Sequence, residues 1–159
     1  MTRTITPEIL FDRLGHGAPP VIIDVCNEED FASDPRLIPT ACRRPHHTPG
    51  WSDLPKNAEV VVVCQKGKKL SLGAAALLQD VGYSAVALAG GNAGWDASGL
   101  PRIPVAASPT SRRWVTTPNA ASDTPLCAWL IRRFIDPGAQ LMVVPATELD
   151  DVAFHFDAK

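Results

Sequence analysis

No charge of one sign dominates this 159-residue chain: 15 Lys and Arg stand against 17 Asp and Glu, a formal net charge of −2. A whole-surface nucleic-acid binder is usually strongly basic, so nucleic acid is not an expected partner. Long apolar runs are also missing. Runs such as Val60–Cys64 and Ala74–Leu78, and the six residues Leu126–Ile131, fall far short of the roughly 20 residues that cross a bilayer. The opening Met1-Thr2-Arg3-Thr4-Ile5-Thr6-Pro7-Glu8 has no apolar core of a secretory signal, so a cytoplasmic chain with no membrane partner is expected. Cysteine is sparse, at positions 26, 42, 64 and 127, and no CxxC or HxxxH occurs. That spacing argues against a structural zinc site and for free thiols over a disulfide framework. What is present is a 45% hydrophobic composition, enough for one well-buried domain of about 100–150 residues with a small appendage.

Composition divides the chain. Pro101, Pro104, Pro109, Pro118 and Pro125 lie among Ala, Ser and Thr, which reads as an irregular crossing segment. The expected organisation is a first domain over 1–105, a linker over 106–111 and a tail over 112–159. Neither part is an electrostatic arm, with 10 basic and 11 acidic residues in 1–105 and 5 and 6 in 106–159.

In the first part element types alternate. Thr6 can cap a helix that has Pro7 at its first position. Val21–Val25 and Val60–Val63 are short apolar runs, the second β-branched throughout, and Ala85–Leu88 is a third. Glu28–Ala32 suits one helical turn. Leu70, Ala74, Leu77, Leu78 and Val81 have helical spacing before Gly82, and Trp95 falls in a short helix after Gly90-Gly91. Strands that are apolar throughout imply a parallel sheet covered on both faces. The fold class is α/β, an open parallel sheet with helices on both faces, with its site at the carboxyl ends of the strands.

Cys64 follows such a strand directly and opens Cys64-Gln65-Lys66-Gly67-Lys68-Lys69 before a helix. Backbone N–H groups of the loop and first helical turn, the helix dipole, and the three Lys all favour thiolate over thiol there. Gly67 allows the loop to curl into an anion-holding nest. An activated thiol in a cationic cradle can attack an electrophilic sulfur and keep it as a persulfide. On spacing alone, a buried structural Cys beside a solvated Lys loop fits as well.

The wider pattern resembles the rhodanese-type sulfurtransferases over about residues 5–105. Cys64-Gln65-Lys66-Gly67 resembles their active-site loop. Gly90-Gly91-Asn92-Ala93-Gly94-Trp95 with Gly99-Leu100-Pro101 resembles their closing motif. Asp24-Val25 resembles the family's Asp-Val-Arg strand end, and Leu37-Ile38-Pro39-Thr40-Ala41 its His-Ile-Pro-Gly-Ala turn. The resemblance implies a rhodanese-like domain with Cys64 as sulfur carrier and no metal or organic cofactor. It implies a substrate cradle of Gln65, Lys66, Gly67, Lys68 and Lys69. Lys66 resembles the thiosulfate-using branch, so the implied donor is thiosulfate or a similar small sulfur anion, and the acceptor a thiol or cyanide. The sequence departs from the family at Cys26, where Arg usually follows Asp-Val, and at Leu37, Thr40 and Lys69 or Leu70. Lost Arg and His remove donors that fix backbone and substrate charge, so weakened activity is expected. Cys26 either fills space left by Arg or, ending a strand at the same sheet edge as Cys64, acts as a resolving thiol.

In the tail, Arg112–Thr116 reads as a strand, Leu126–Ile135 as an amphipathic helix with Leu126, Trp129, Leu130 and Phe134 on one face, and Leu141–Val144 as a strand. Arg112-Arg113-Trp114-Val115-Thr116 and the run Trp129–Pro137 resemble the C-terminal domain of chromate-resistance proteins, of which this tail is a shortened piece. That resemblance implies an alternative function: a non-catalytic oxyanion- or redox-sensing module linked to chromate resistance, binding chromate or a sulfate-like oxyanion. Arg43-Arg44 and Arg132-Arg133 suit either oxyanion binding or plain solvation. His46-His47 and His155 suit solvation better than metal ligation. A monomer and a homodimer are both compatible with the sequence.

Overall fold

A computed structural model describes residues 3–15, 19–44, 46, 51, 53–105, 113–118, 124–136, 138–145 and 154–155. The chain forms two compact units, Met1–Val105 and Ala106–Lys159.

The first unit runs β1 (Thr4–Ile5), α1 (Pro7–Gly15), β2 (Val21–Asp24), α2 (Glu28–Ser33), β3 (Arg36–Leu37), β4 (Cys42–Arg43), β5 (Glu59–Val63), α3 (Lys69–Asp80), β6 (Ser84–Leu88), α4 (Gly91–Ala97) and β7 (Ile103–Pro104). Local chemistry sets the boundaries. Thr6 Oγ1 accepts the Ile9 amide at 3.4 Å ahead of Pro7, and Asn27 Oδ1 accepts the Asp30 amide at 2.7 Å to start α2. Gly82, at φ +92, follows the end of α3.

Five strands form one sheet in the order β1-β6-β5-β2-β4. Every neighbouring pair is parallel, so all carboxyl ends share one edge. The expected α/β parallel sheet is what the chain forms. Val60, Val61, Val62 and Val63 are all buried, which requires cover on both faces because alternate residues point to opposite sides. Val60, Val62 and Ile23 pack in one cluster with Ala74, Ala75 and Leu78 of α3. On the helices α1 and α4, Phe11 meets Trp95 edge to face at 6.0 Å, and the Trp95 indole N–H donates to the Pro101 carbonyl at 3.0 Å. A buried Trp of this kind combines a large apolar area with a satisfied donor.

β3 and β7 form a separate antiparallel ribbon that the sequence reading did not anticipate. The Arg102 side chain, 1% exposed, ties it to α4. Its Nε and Nη2 donate to Asp96 at 2.8 and 2.5 Å, Nη1 donates to the Arg36 carbonyl at 3.1 Å, and Nη2 also contacts Asp34. The Arg36 guanidinium, with Arg102, holds the Asp34 carboxyl down to about 2.

The Ile38-Pro39-Thr40-Ala41 turn closes with the Ala41 amide on the Ile38 carbonyl at 2.9 Å. Its third residue adopts φ +67, and that residue is Thr40. A β-branched side chain is strained there, and the Thr40 hydroxyl is buried with no hydrogen-bond partner among the described residues. Thr40→Gly is therefore expected to stabilise the protein by about 1 kcal/mol, net of the glycine's greater chain entropy. Thermal unfolding measures this, and a lowered Tm would contradict it.

The second unit contains β8 (Arg113–Thr116), α5 (Thr124–Leu130), a π-helical turn (Ile131–Ile135), β9 (Gln140–Val143) and β10 (Phe154–His155). Its sheet has the order β10-β8-β9 and is parallel throughout. The expected regular helix over 126–135 is thus interrupted by a wider turn. The expected apolar face is also corrected. Leu126, Trp129 and Leu130 are exposed, Trp129 by 51%, and Trp129 meets Phe134 edge to face at 5.8 Å. The unit is instead centred on Trp114, Ile131 and Ala139, with Cys127, Ala128, Ile135 and Leu141 against them. These smaller and β-branched residues of the helix pack against β8 and β9, so burial follows the sheet's position and not side-chain size. Arg112, His47, the 106–111 segment and the His155 side chain lie outside the described residues.

Candidate active site

β5 is the central strand, and Cys64 is the residue after it. Its loop interlocks with the Gly90-Gly91 turn, backbone against backbone. Gly67 has φ +61, and a Cβ there would lie 2.6 Å from the Leu88 carbonyl oxygen and from the Gly91 nitrogen. Gly91 has φ +60, and a Cβ there would overlap the Cys64 carbonyl oxygen. That closeness permits two hydrogen bonds of 3.0 Å, from the Asn92 amide to the Cys64 carbonyl and from the Ala93 amide to the Gln65 carbonyl.

These bonds engage two of the loop's carbonyls and leave its amides available. Among the described residues, no backbone carbonyl accepts from the amides of Gln65 to Ser71. Donors in this arrangement are suited to negative charge. The Cys64 side chain is buried, with the residue 4% exposed, and its thiol donates to Ser71 Oγ at 3.1 Å. The Ser71 hydroxyl in turn donates to the Lys68 carbonyl at 3.3 Å. When the thiol loses its proton, the same hydroxyl can rotate and donate to sulfur. Lys66, Lys68 and Lys69 are exposed and Gln65 half-buried. None of the three Lys has an ion pair among the described residues.

Beside this loop is a buried polar cluster. Asp24 Oδ1 accepts the Cys26 amide at 2.8 Å. Asp24 Oδ2 accepts from Asn92 Nδ2 at 2.9 Å, and Nδ2 also reaches Cys26 Sγ at 3.4 Å. Arg43 Nη2 donates to the Cys26 carbonyl at 3.2 Å, and its guanidinium lies 4.4 Å over the Phe31 ring. Burial pushes the Cys26 thiol up, and the charges of Asp24 and Cys64 push it the same way.

The family model for the rhodanese-like domain matches residues 6–98. The chain belongs to the rhodanese-like family. A sulfurtransferase of Allochromatium vinosum is 33% identical over 106 residues, covering 65% of this chain and 96% of that relative. A thiosulfate sulfurtransferase structure from Pseudomonas aeruginosa is 29% identical with a TM-score of 0.52, over 65% of this chain and 20% of that one. A rhodanese-like domain protein of Staphylococcus aureus is 29% identical with a TM-score of 0.53, over 58% of this chain and 90% of that one. A second family model, the ChrB C-terminal domain, matches residues 114–159. The chain thus joins a rhodanese-like domain of the sulfurtransferase family to a ChrB-type C-terminal segment.

Within the rhodanese-like domain, Cys64, Gln65, Lys66, Gly67, Lys68 and Lys69 share one loop at the sheet's carboxyl edge, with Cys26 at the neighbouring strand's end. Ser71 and Asn92 were missed by sequence reasoning. Ser71 is a fully buried hydroxyl in the first turn of α3. Asn92 stood as a spacer in the Gly-Gly-x-x-x-Trp motif, though a polar residue beside two glycines in an otherwise apolar setting was a legible sign. Among the described residues, no group of three His, Cys, Asp or Glu is placed to hold a metal ion. Nor is any helix of the described residues long and apolar enough to cross a membrane.

Proposed function

We propose that this rhodanese-like chain moves sulfane sulfur from thiosulfate to a thiophilic acceptor such as cyanide or a thiol, through a persulfide on Cys64. The Cys64 thiolate attacks the outer sulfur of thiosulfate, the S–S bond breaks, and sulfite leaves with the electron pair. Cyanide then takes the outer sulfur of the persulfide as thiocyanate and returns Cys64 to thiolate. The observation that carries this reading is Cys64 at the end of β5, bonded to Ser71, in a loop whose amides from Gln65 to Ser71 meet no backbone acceptor among the described residues. Those amides and Ser71 stabilise charge on the sulfur, while Lys66, Lys68 and Lys69 draw in the dianion.

Charge reversal tests the donor. Lys66→Glu with Lys68→Glu is expected to raise the KM for thiosulfate by about tenfold or more, with a smaller change in kcat, in a thiocyanate-forming assay. An unchanged KM would contradict a role for these cations in donor binding.

The ChrB-type segment at 114–159 favours a second reading, an oxyanion- or redox-sensing module linked to chromate resistance. Chromate, sulfate and thiosulfate are all tetrahedral dianions, so one cradle can hold each. Chromate or sulfate binding by a protein that forms no thiocyanate with any donor would select this reading over the first. A cytoplasmic location accords with both.

A further inference from the structure

We propose that Cys26 is an internal thiol that discharges the Cys64 persulfide, forming a Cys26–Cys64 disulfide and releasing hydrosulfide without an external acceptor. The proposal rests on the persulfide reading above and adds a second reaction to it.

The fold places the two cysteines together. β2 and β5 are adjacent and parallel, with Asp24 opposite Val63 at their carboxyl ends. One residue further on, the Val25 amide still donates to the Val63 carbonyl at 2.8 Å. Continuing that register sets Val25 level with Cys64 and Cys26 one residue beyond it, and Cys26 and Cys64 belong to the same buried cluster as α3. Asn92 touches both, its side chain at Cys26 Sγ (3.4 Å) and its amide at the Cys64 carbonyl (3.0 Å). Both thiols are free. Cys26 and Cys64 are buried alike, 3% and 4% exposed.

The step balances. The persulfide anion on Cys64 takes the Cys26 proton. This makes a neutral persulfide, which is the better electrophile, and a Cys26 thiolate, which is the nucleophile. Attack on Cys64 Sγ forms the new S–S bond. The old one breaks, and its electron pair leaves with the outer sulfur as hydrosulfide. One disulfide replaces one persulfide, and an external dithiol must reduce the pair before another cycle. Burial, with the charges of Asp24 and Cys64, pushes the Cys26 thiol up, so it rests protonated, and its proton leaves with the outer sulfur in the hydrosulfide.

The test is a single turnover. The full-length protein is loaded with thiosulfate, freed of donor, and held without acceptor or oxygen while sulfide and intact mass are followed. The expected result is about one sulfide per persulfide, a product about 2 Da lighter than the reduced protein, and a linked Cys26–Cys64 peptide. In Cys26→Ser the persulfide is expected to last about tenfold longer or more, normalised to the amount loaded. Equal persulfide lifetimes, or linkage to Cys42 or Cys127, would overturn the proposal. Diamide oxidation of unloaded wild-type protein gives a second readout that needs no variant. No Cys26–Cys64 peptide there overturns the pairing whatever thiosulfate does. The peptide forming in a protein that never loads sulfur counts against the sulfur-transfer reading and not against the thiol pair.

Discussion

Replacing Cys64 by serine is expected to lower thiocyanate formation from thiosulfate and cyanide by about a thousandfold or more. The change exchanges one atom, yet the hydroxyl is a poor nucleophile that the cradle cannot ionise at neutral pH. Serine is smaller than cysteine and still able to bond Ser71, so the fold should survive, and unfolding measured beside the assay confirms it. Residual turnover near that of wild type would place the reacting group elsewhere on the chain.

Gly91→Ala is expected to have the second large effect, and by a different route. The added Cβ would overlap the Cys64 carbonyl oxygen and sit on a backbone at φ +60. Relief requires the Gly90-Gly91 turn and the Cys64 loop to move apart. That breaks the hydrogen bonds from Asn92 and Ala93 that hold the loop's carbonyls. A loss of about 3–5 kcal/mol is expected from the clash, the strained backbone and the lost bonds. Activity should fall even where the variant remains folded, because the loop that carries Cys64 is displaced. Gly73→Ala is the control, since nothing lies within 4 Å of a Cβ there. Equal melting temperatures for the two variants would contradict the interlock.

The physical difference between Gly91 and Ser71 explains what the sequence revealed. Val60–Val63 announces a buried parallel strand because four β-branched residues in a row fit few other settings. Gly90-Gly91 marks a turn because two adjacent glycines are costly inside a helix or strand, and the close approach it makes to the Cys64 loop is visible only in the fold. Both signals are local. Ser71 and Asn92 carry no local signal of comparable strength, because their roles depend on partners at Cys64, Asp24 and Cys26 that only the folded sheet edge brings within reach. The same limit applies to Arg102, whose partners Asp34 and Asp96 lie on different elements. In the tail, the size of Leu126, Trp129 and Leu130 suggested a buried face. Cys127, Ala128, Ile131 and Ile135, on the other side of the helix, are the ones that meet the sheet, a choice that helical periodicity alone cannot make.

The most direct measurement is the intact and peptide mass of the purified protein after brief exposure to thiosulfate and rapid quenching with an alkylating reagent. The expected result is a gain of about 32 Da, one sulfur atom, carried on the Cys64 peptide and removed by cyanide. No gain on Cys64 with any small sulfane donor, in protein shown to be folded, would contradict it.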